Sequence, residues 1–290
     1  MICLHIYSLF FLLFTRLVRA TPLPLTHLRR STITSAPTVL TITISLPATQ
    51  TAAHTNTVSS NTITTTTTAA ETATATPAKA ITVLPLGDSI TFGLGTADRN
   101  SYRQFLQQRL KDDAIGIDYI GSVRSGTLTD NENEGHSGAV IDQIRAFGER
   151  TIAASAQKPE VVTLLAGTND VARKLDLANA PARVLSLVDR IHALLPDATV
   201  LVGSIPPLPF IDRQNVGVGH FNDVLQNLVQ ARIAANGNGT ANKLAWVSME
   251  EIGVEDLADG VHPNAGGYVK MGRAWASAIE DAIGKGLVIV

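Results

Sequence analysis

Ile81-Thr82-Val83-Leu84-Pro85-Leu86-Gly87-Asp88-Ser89-Ile90-Thr91 is the stretch that decides the fold. Ile81–Leu86 has the length and apolar content of a buried strand, and Gly87-Asp88-Ser89 closes it with turn-forming residues. Working outward, the same alternation recurs to the end of the chain. Apolar runs at Ile117–Ser122, Val161–Ala166, Thr199–Ser204 and Leu244–Ser248 read as further strands. Tyr102–Lys111, Val140–Ala156, Ala182–Leu195, Gly219–Ala235 and Ala265–Ile283 carry apolar residues three or four apart, as in Val184, Leu187, Val188, Ile191 and Leu194, and read as helices. Strands alternating with helices predict a parallel sheet covered on both faces. Five such units predict a three-layer α/β/α, flavodoxin-like fold with a five-stranded parallel sheet in the order 2-1-3-4-5. Its ligand site is expected beyond the carboxyl ends of the strands, near the switch between strands one and three.

Upstream of this domain, expected at residues 81–290, the 290-residue chain reads differently. Ile6–Phe14 is an apolar run, and Val18 and Ala20 occupy the −3 and −1 positions of a secretory cleavage site, so residues 1–20 are expected to be a signal peptide. The alternative, a membrane anchor, needs about 20 apolar residues, and Arg16 and Arg19 interrupt the run. Residues 21–80 are read as a Thr/Ser-rich linker carrying O-linked sugar. From Ser31 to Ala78, 18 of 48 residues are Thr and Glu71 is the only formal charge, a composition without the bulky apolar set a core requires. Arg29-Arg30 offers a dibasic processing site, and Asn238-Gly239-Thr240 a sequon for N-linked sugar. These features lead us to expect a secreted glycoprotein.

Composition excludes several functions. A formal net charge of −2 with interspersed signs gives no basic stripe for nucleic acid. The single cysteine, Cys3, lies in the expected signal peptide, which removes disulfides, thiol nucleophiles and thiolate metal sites from the mature protein. The histidines do not cluster at metal-ligand spacing. Gly93-Leu94-Gly95 lacks the third glycine of a dinucleotide fingerprint, and no Gly-rich phosphate loop is present. No cofactor, no metal and no membrane partner are therefore expected, and the protein is expected to be monomeric.

Three polar clusters fall at strand ends: Gly87-Asp88-Ser89-Ile90-Thr91 after the first strand, Gly167-Thr168-Asn169-Asp170 after the third, and Asp259-Gly260-Val261-His262-Pro263 after the fifth. Each alone is as readily a turn or a helix cap. Together they supply what acyl transfer needs, namely a nucleophile, a base, an orienting carboxylate and oxyanion donors.

These clusters resemble the SGNH (GDSL-like) hydrolases. Tyr102-Arg103, Tyr119-Ile120-Gly121-Ser122 and Glu134-Gly135-His136-Ser137-Gly138 add a likeness to the acetyl xylan esterases of carbohydrate esterase family 3, extending from Ile81 to Ile283. The resemblance implies Ser89 as nucleophile, His262 as base and Asp259 as its orienting carboxylate. It also implies an oxyanion hole built from the backbone N–H groups of Ser89 and Gly138 and the side-chain amide of Asn169. The substrate it implies is a small acyl ester, acetyl above all, on a cell-wall polysaccharide such as xylan. A lipid-directed esterase and a non-catalytic glycan-binding protein are the alternatives. His136 is read as either structural or substrate-contacting, Arg103 as a structural ion-pair partner, and Trp246 and Trp275 as core aromatics. Leu287-Val288-Ile289-Val290 packs either on the sheet or on a partner.

Overall fold

A computed structural model describes residues 80–210, 216–235 and 243–290. The expected signal peptide, the Thr-rich linker, Arg29-Arg30 and the Asn238 sequon lie outside the described residues. Among those described, no helix is long and apolar enough to cross a membrane.

All five expected strands are present, as β1 (Ala80–Gly87), β2 (Gly116–Tyr119), β5 (Val161–Leu165), β6 (Thr199–Gly203) and β7 (Leu244–Val247). Their parallel pairing runs β2-β1-β5-β6-β7, the expected order. The strand count is corrected, because the sheet has seven strands rather than five. Two short ones, β3 (Val123–Arg124) and β4 (Glu132–Gly135), pair antiparallel with each other, and β4 joins β1 in parallel.

β1 explains how both fit. Its pairing with β2 covers Ala80–Val83, and its pairing with β4 covers Leu86 and Gly87. Between these lies Pro85, which has no N–H to offer a neighbour, so one partner strand stops and another takes over.

The strand residues alternate between two cores. Leu84, Leu86, Val162, Leu164, Val200 and Val202 face α3 (Ile141–Ala154), α5 (Ala180–Leu194) and α6 (Val216–Ala235). Ile81, Val83, Val161, Leu165 and Leu201 face α2 (Ser101–Asp112) and α7 (Ala265–Gly284). Trp275 is wholly buried in the second core with its ring 5.7 Å from that of Tyr102, as expected of a core aromatic, whereas Trp246 is only half-buried. Of the apolar C-terminus, Leu287 and Val288 pack into the second core and Ile289 and Val290 are exposed.

Arg103 departs from its expected role. Among the described residues its buried guanidinium makes no ion pair and instead donates to the carbonyls of Asn131 (2.9 Å), Glu132 (3.3 Å), Ser125 (2.9 Å) and Arg99 (3.3 Å), and to the hydroxyl of Ser125 (2.8 Å). Carbonyl dipoles replace a carboxylate, and one side chain on α2 thereby fastens the β3–β4 connection that leads to the site.

Candidate active site

The site grows from the carboxyl end of β1. Asp88 caps α1 (Ser89–Phe92), its Oδ1 accepting the Ile90 N–H at 2.9 Å. Cap and nucleophile candidate are thus adjacent, and Ser89 is the first residue of a short helix rather than part of a loop. Burial pushes the Asp88 carboxyl up to about 6, against the hydrogen bonds from Ile90 and Thr168 that favour its charged form.

The third cluster meets Ser89 from the loop before α7. His262 Nε2 lies 2.8 Å from Ser89 Oγ, and His262 Nδ1 lies 2.7 Å from Asp259 Oδ2. Asp259 Oδ1 also accepts the N–H groups of Val261 (3.0 Å) and His262 (2.8 Å), which wraps the loop around the carboxylate. That wrap needs a left-handed residue, supplied by Gly260 at φ +83°. Burial raises the Asp259 pKa, but the hydrogen bonds from His262 and Val261 outweigh it and hold the group below the ordinary carboxylate range. The loop closes with Ala258 N–H donating to the His262 carbonyl at 2.8 Å, and Asn264, not His262, caps α7.

The second cluster forms α4 (Thr168–Ala172). Asn169 Nδ2 donates to the Ala139 carbonyl at 3.0 Å and stands 3.5 Å from Asp88 Oδ2, which brings it to the residue before Ser89 and to the turn carrying Gly138. That turn runs His136–Ala139, closed by Ala139 N–H to His136 O at 3.0 Å with Gly138 at φ +76°, the geometry of a type II turn. Two attachments fix it. The His136 N–H donates to Gly87 O at 3.0 Å, and buried Asp170 accepts the Ile141 N–H at 3.0 Å while pairing with Arg183 at 2.8 Å.

Asp259, His262 and Ser89 are thus joined by direct hydrogen bonds, while Asn169 bonds the turn that carries Gly138 and stands beside Asp88, the residue before Ser89. Sequence reasoning missed the pairing of His136 with Glu134. His136 Nε2 is 2.6 Å from Glu134 Oε1, and the ring stacks on Phe147 at 3.6 Å. Burial raises the Glu134 pKa, but hydrogen bonds from His136, Ser122 and Thr151 hold it below its ordinary value. The available signal was their i, i+2 spacing, which places both side chains on one face of a strand. His136 also lines a pocket of about 450 Å3 with Phe92, Gly138, Phe147 and Arg173. Among the described residues, no group of three His, Cys, Asp or Glu side chains is placed to hold a metal ion.

A parallel run β2-β1-β5-β6-β7 with Ser89 following β1 and Asn169 following β5 is the SGNH hydrolase fold. The chain belongs to the GDSL-like lipase/acylhydrolase family, which matches residues 86–270, more than half of its length. The family 3 carbohydrate esterase of Clostridium thermocellum is 32% identical, with a TM-score of 0.61 over 71% of this chain and 99% of that one. A family 3 carbohydrate esterase from Talaromyces cellulolyticus shares the fold at 21% identity, with a TM-score of 0.58 over 70% of this chain and 98% of that one. A multidomain esterase of Ruminococcus flavefaciens is 29% identical over an alignment of 231 residues, and the match covers 70% of this chain but only 29% of that protein's length.

Proposed function

We propose that the chain is a serine esterase that removes acetyl and similarly short acyl groups from a cell-wall polysaccharide such as xylan. The observation that carries this reading is the row Asp259–His262–Ser89, with its two contacts at 2.7 and 2.8 Å. His262 takes the Ser89 proton as Oγ attacks the ester carbonyl, and Asp259 holds the imidazole in the tautomer that leaves Nε2 free to accept. The carbonyl oxygen gains charge, which the N–H groups of Ser89 and Gly138 and the Asn169 amide stabilise as neutral donors. Collapse expels the sugar hydroxyl, which takes its proton from His262. Water, activated by the same imidazole, then attacks the acyl-serine and releases the acid. The apolar run and cleavage-site residues of 1–20 support export to the polymer.

The test is acetate release from acetylated xylan, with p-nitrophenyl acetate and a long-chain p-nitrophenyl ester in parallel, for wild type and Ser89→Ala. The expected result is release from xylan, little long-chain activity, and a loss of at least about 10³-fold in Ser89→Ala. Long-chain preference would move the protein to lipid esters, and activity that survives Ser89→Ala would remove Ser89 as nucleophile.

A further inference from the structure

The pocket beside the His136–Ala139 turn is larger than an acetyl group requires. At about 450 Å3 it has room for a sugar ring. The His136 ring is held edge-on by Glu134 at 2.6 Å and face-on by Phe147 at 3.6 Å. The pocket shares Ser137, Gly138 and Ala139 with the turn to which the ester carbonyl is assigned, so it adjoins that place.

Among the described residues, Arg173 is the only Lys, Arg, Asp or Glu that lines the pocket. It follows α4 directly, four residues after Asn169, so the two side chains leave the same side of the chain one turn apart. Asn169 reaches Ala139 O, while Arg173 Nη2 lies 3.2 Å from the point where a Cβ on Gly138 would stand. The guanidinium is exposed, and among the described residues no carboxylate pairs with it. Asp170, its near neighbour in sequence, is engaged by Arg183. Arg109, Arg124, Arg145, Arg190 and Arg232 each have an acidic partner. A planar cation lining this pocket without a carboxylate partner matches a carboxylate, which it can grip through two parallel N–H donors.

Building on the esterase reading, we infer that this pocket takes the sugar that bears the ester and that Arg173 binds the carboxylate of a uronic acid on that sugar or its neighbour. The enzyme thereby selects acidic, esterified polysaccharide over its neutral counterpart.

The experiment measures kcat/KM for acetate release from acetylated glucuronoxylan and from the same polymer after enzymatic removal of its acidic branches. It compares wild type with Arg173→Ala, Arg173→Lys and Arg173→Glu at low salt. Wild type is expected to favour the acidic polymer by up to about fivefold, the scale of an exposed ion pair. Arg173→Ala brings the ratio to unity, Arg173→Lys retains part of it, and Arg173→Glu inverts it. A wild-type ratio of one, or the same preference in Arg173→Ala, overturns the inference. Ser89-dependent hydrolysis of p-nitrophenyl acetate with a flat polymer ratio overturns it alone, whereas absence of that hydrolysis overturns the esterase reading and this inference with it.

Discussion

Replacing Gly138 with alanine tests the oxyanion turn at the cost of one methyl group. Space is not the obstacle, because the nearest atom to the added Cβ is Arg173 Nη2 at 3.2 Å, the end of a flexible, exposed side chain. The obstacle is φ, which at +76° suits glycine and costs an L-residue about 1–2 kcal/mol. The chain can relieve that strain by rotating the Ser137–Gly138 peptide into a type I turn, where the third position has φ near about −90°. That rotation turns over the N–H of residue 138, the group assigned to the oxyanion. We therefore expect Gly138→Ala to lose about 10²–10³ in kcat on p-nitrophenyl acetate, the cost of one oxyanion donor, with at most about 1–2 kcal/mol lost in a urea melt. A variant with kcat within about threefold of wild type would refute the assignment of this N–H, since loss of even one such donor costs far more.

Other substitutions separate the remaining roles. Burial raises the Asp88 pKa to about 6, so the folded state holds this proton more tightly than the unfolded chain does. The resulting stability is present below about pH 4 and is lost, by about 3 kcal/mol, as pH rises through about 6. Asp88→Asn keeps an oxygen for the Ile90 cap, so it is expected to be the more stable protein at pH 7 and to have the flatter stability–pH curve; parallel curves for the two proteins would count against a strained carboxylate. Asp259→Asn should cost about 10²–10³ in kcat, less than the ~10⁴ of a buried triad carboxylate, because its side chain is 54% exposed and water partly replaces it. Undiminished turnover would show that another group orients His262. Arg103→Ala leaves the buried carbonyl of Ser125 and its neighbours without their donor and should cost about 3–5 kcal/mol in a urea melt, a loss under about 1 kcal/mol contradicting the fastening role.

The sheet was readable where burial wrote it in apolar runs. Val161–Leu165 and Thr199–Gly203 are covered on both faces, so nearly every position is apolar or a buried threonine. β4 is the opposite case. Glu132-Asn133-Glu134-Gly135 has no apolar residue, and its extended form is maintained by partners far along the chain, with Ser122 and Thr151 donating to Glu134 and Asn133 donating to Ser125. No local pattern carries that information, and missing the strand also hid His136 beside Glu134. The candidate site residues stood out because each cluster follows a strand and carries a side chain with few structural uses there. Arg103 was misjudged for a physical reason, since a sequence shows that a buried cation needs compensation but not whether carboxylates or carbonyl dipoles supply it.

The His136 N–H to Gly87 O bond also sets the mechanical tolerance of the site. Gly87 is two residues before Ser89, and His136 is two residues before Gly138, so both working positions hang from one shared anchor by equally short arms. Errors of placement grow with the length of chain between anchor and working atom, and here they grow in step on both sides. The spacing between Ser89 and the turn is thus preserved even when the sheet edge shifts as a whole. His262 enjoys no such arrangement, because it arrives on a separate loop whose carboxylate faces solvent. Wear, thermal or evolutionary, should therefore reach the alignment of the base before it reaches the cradle.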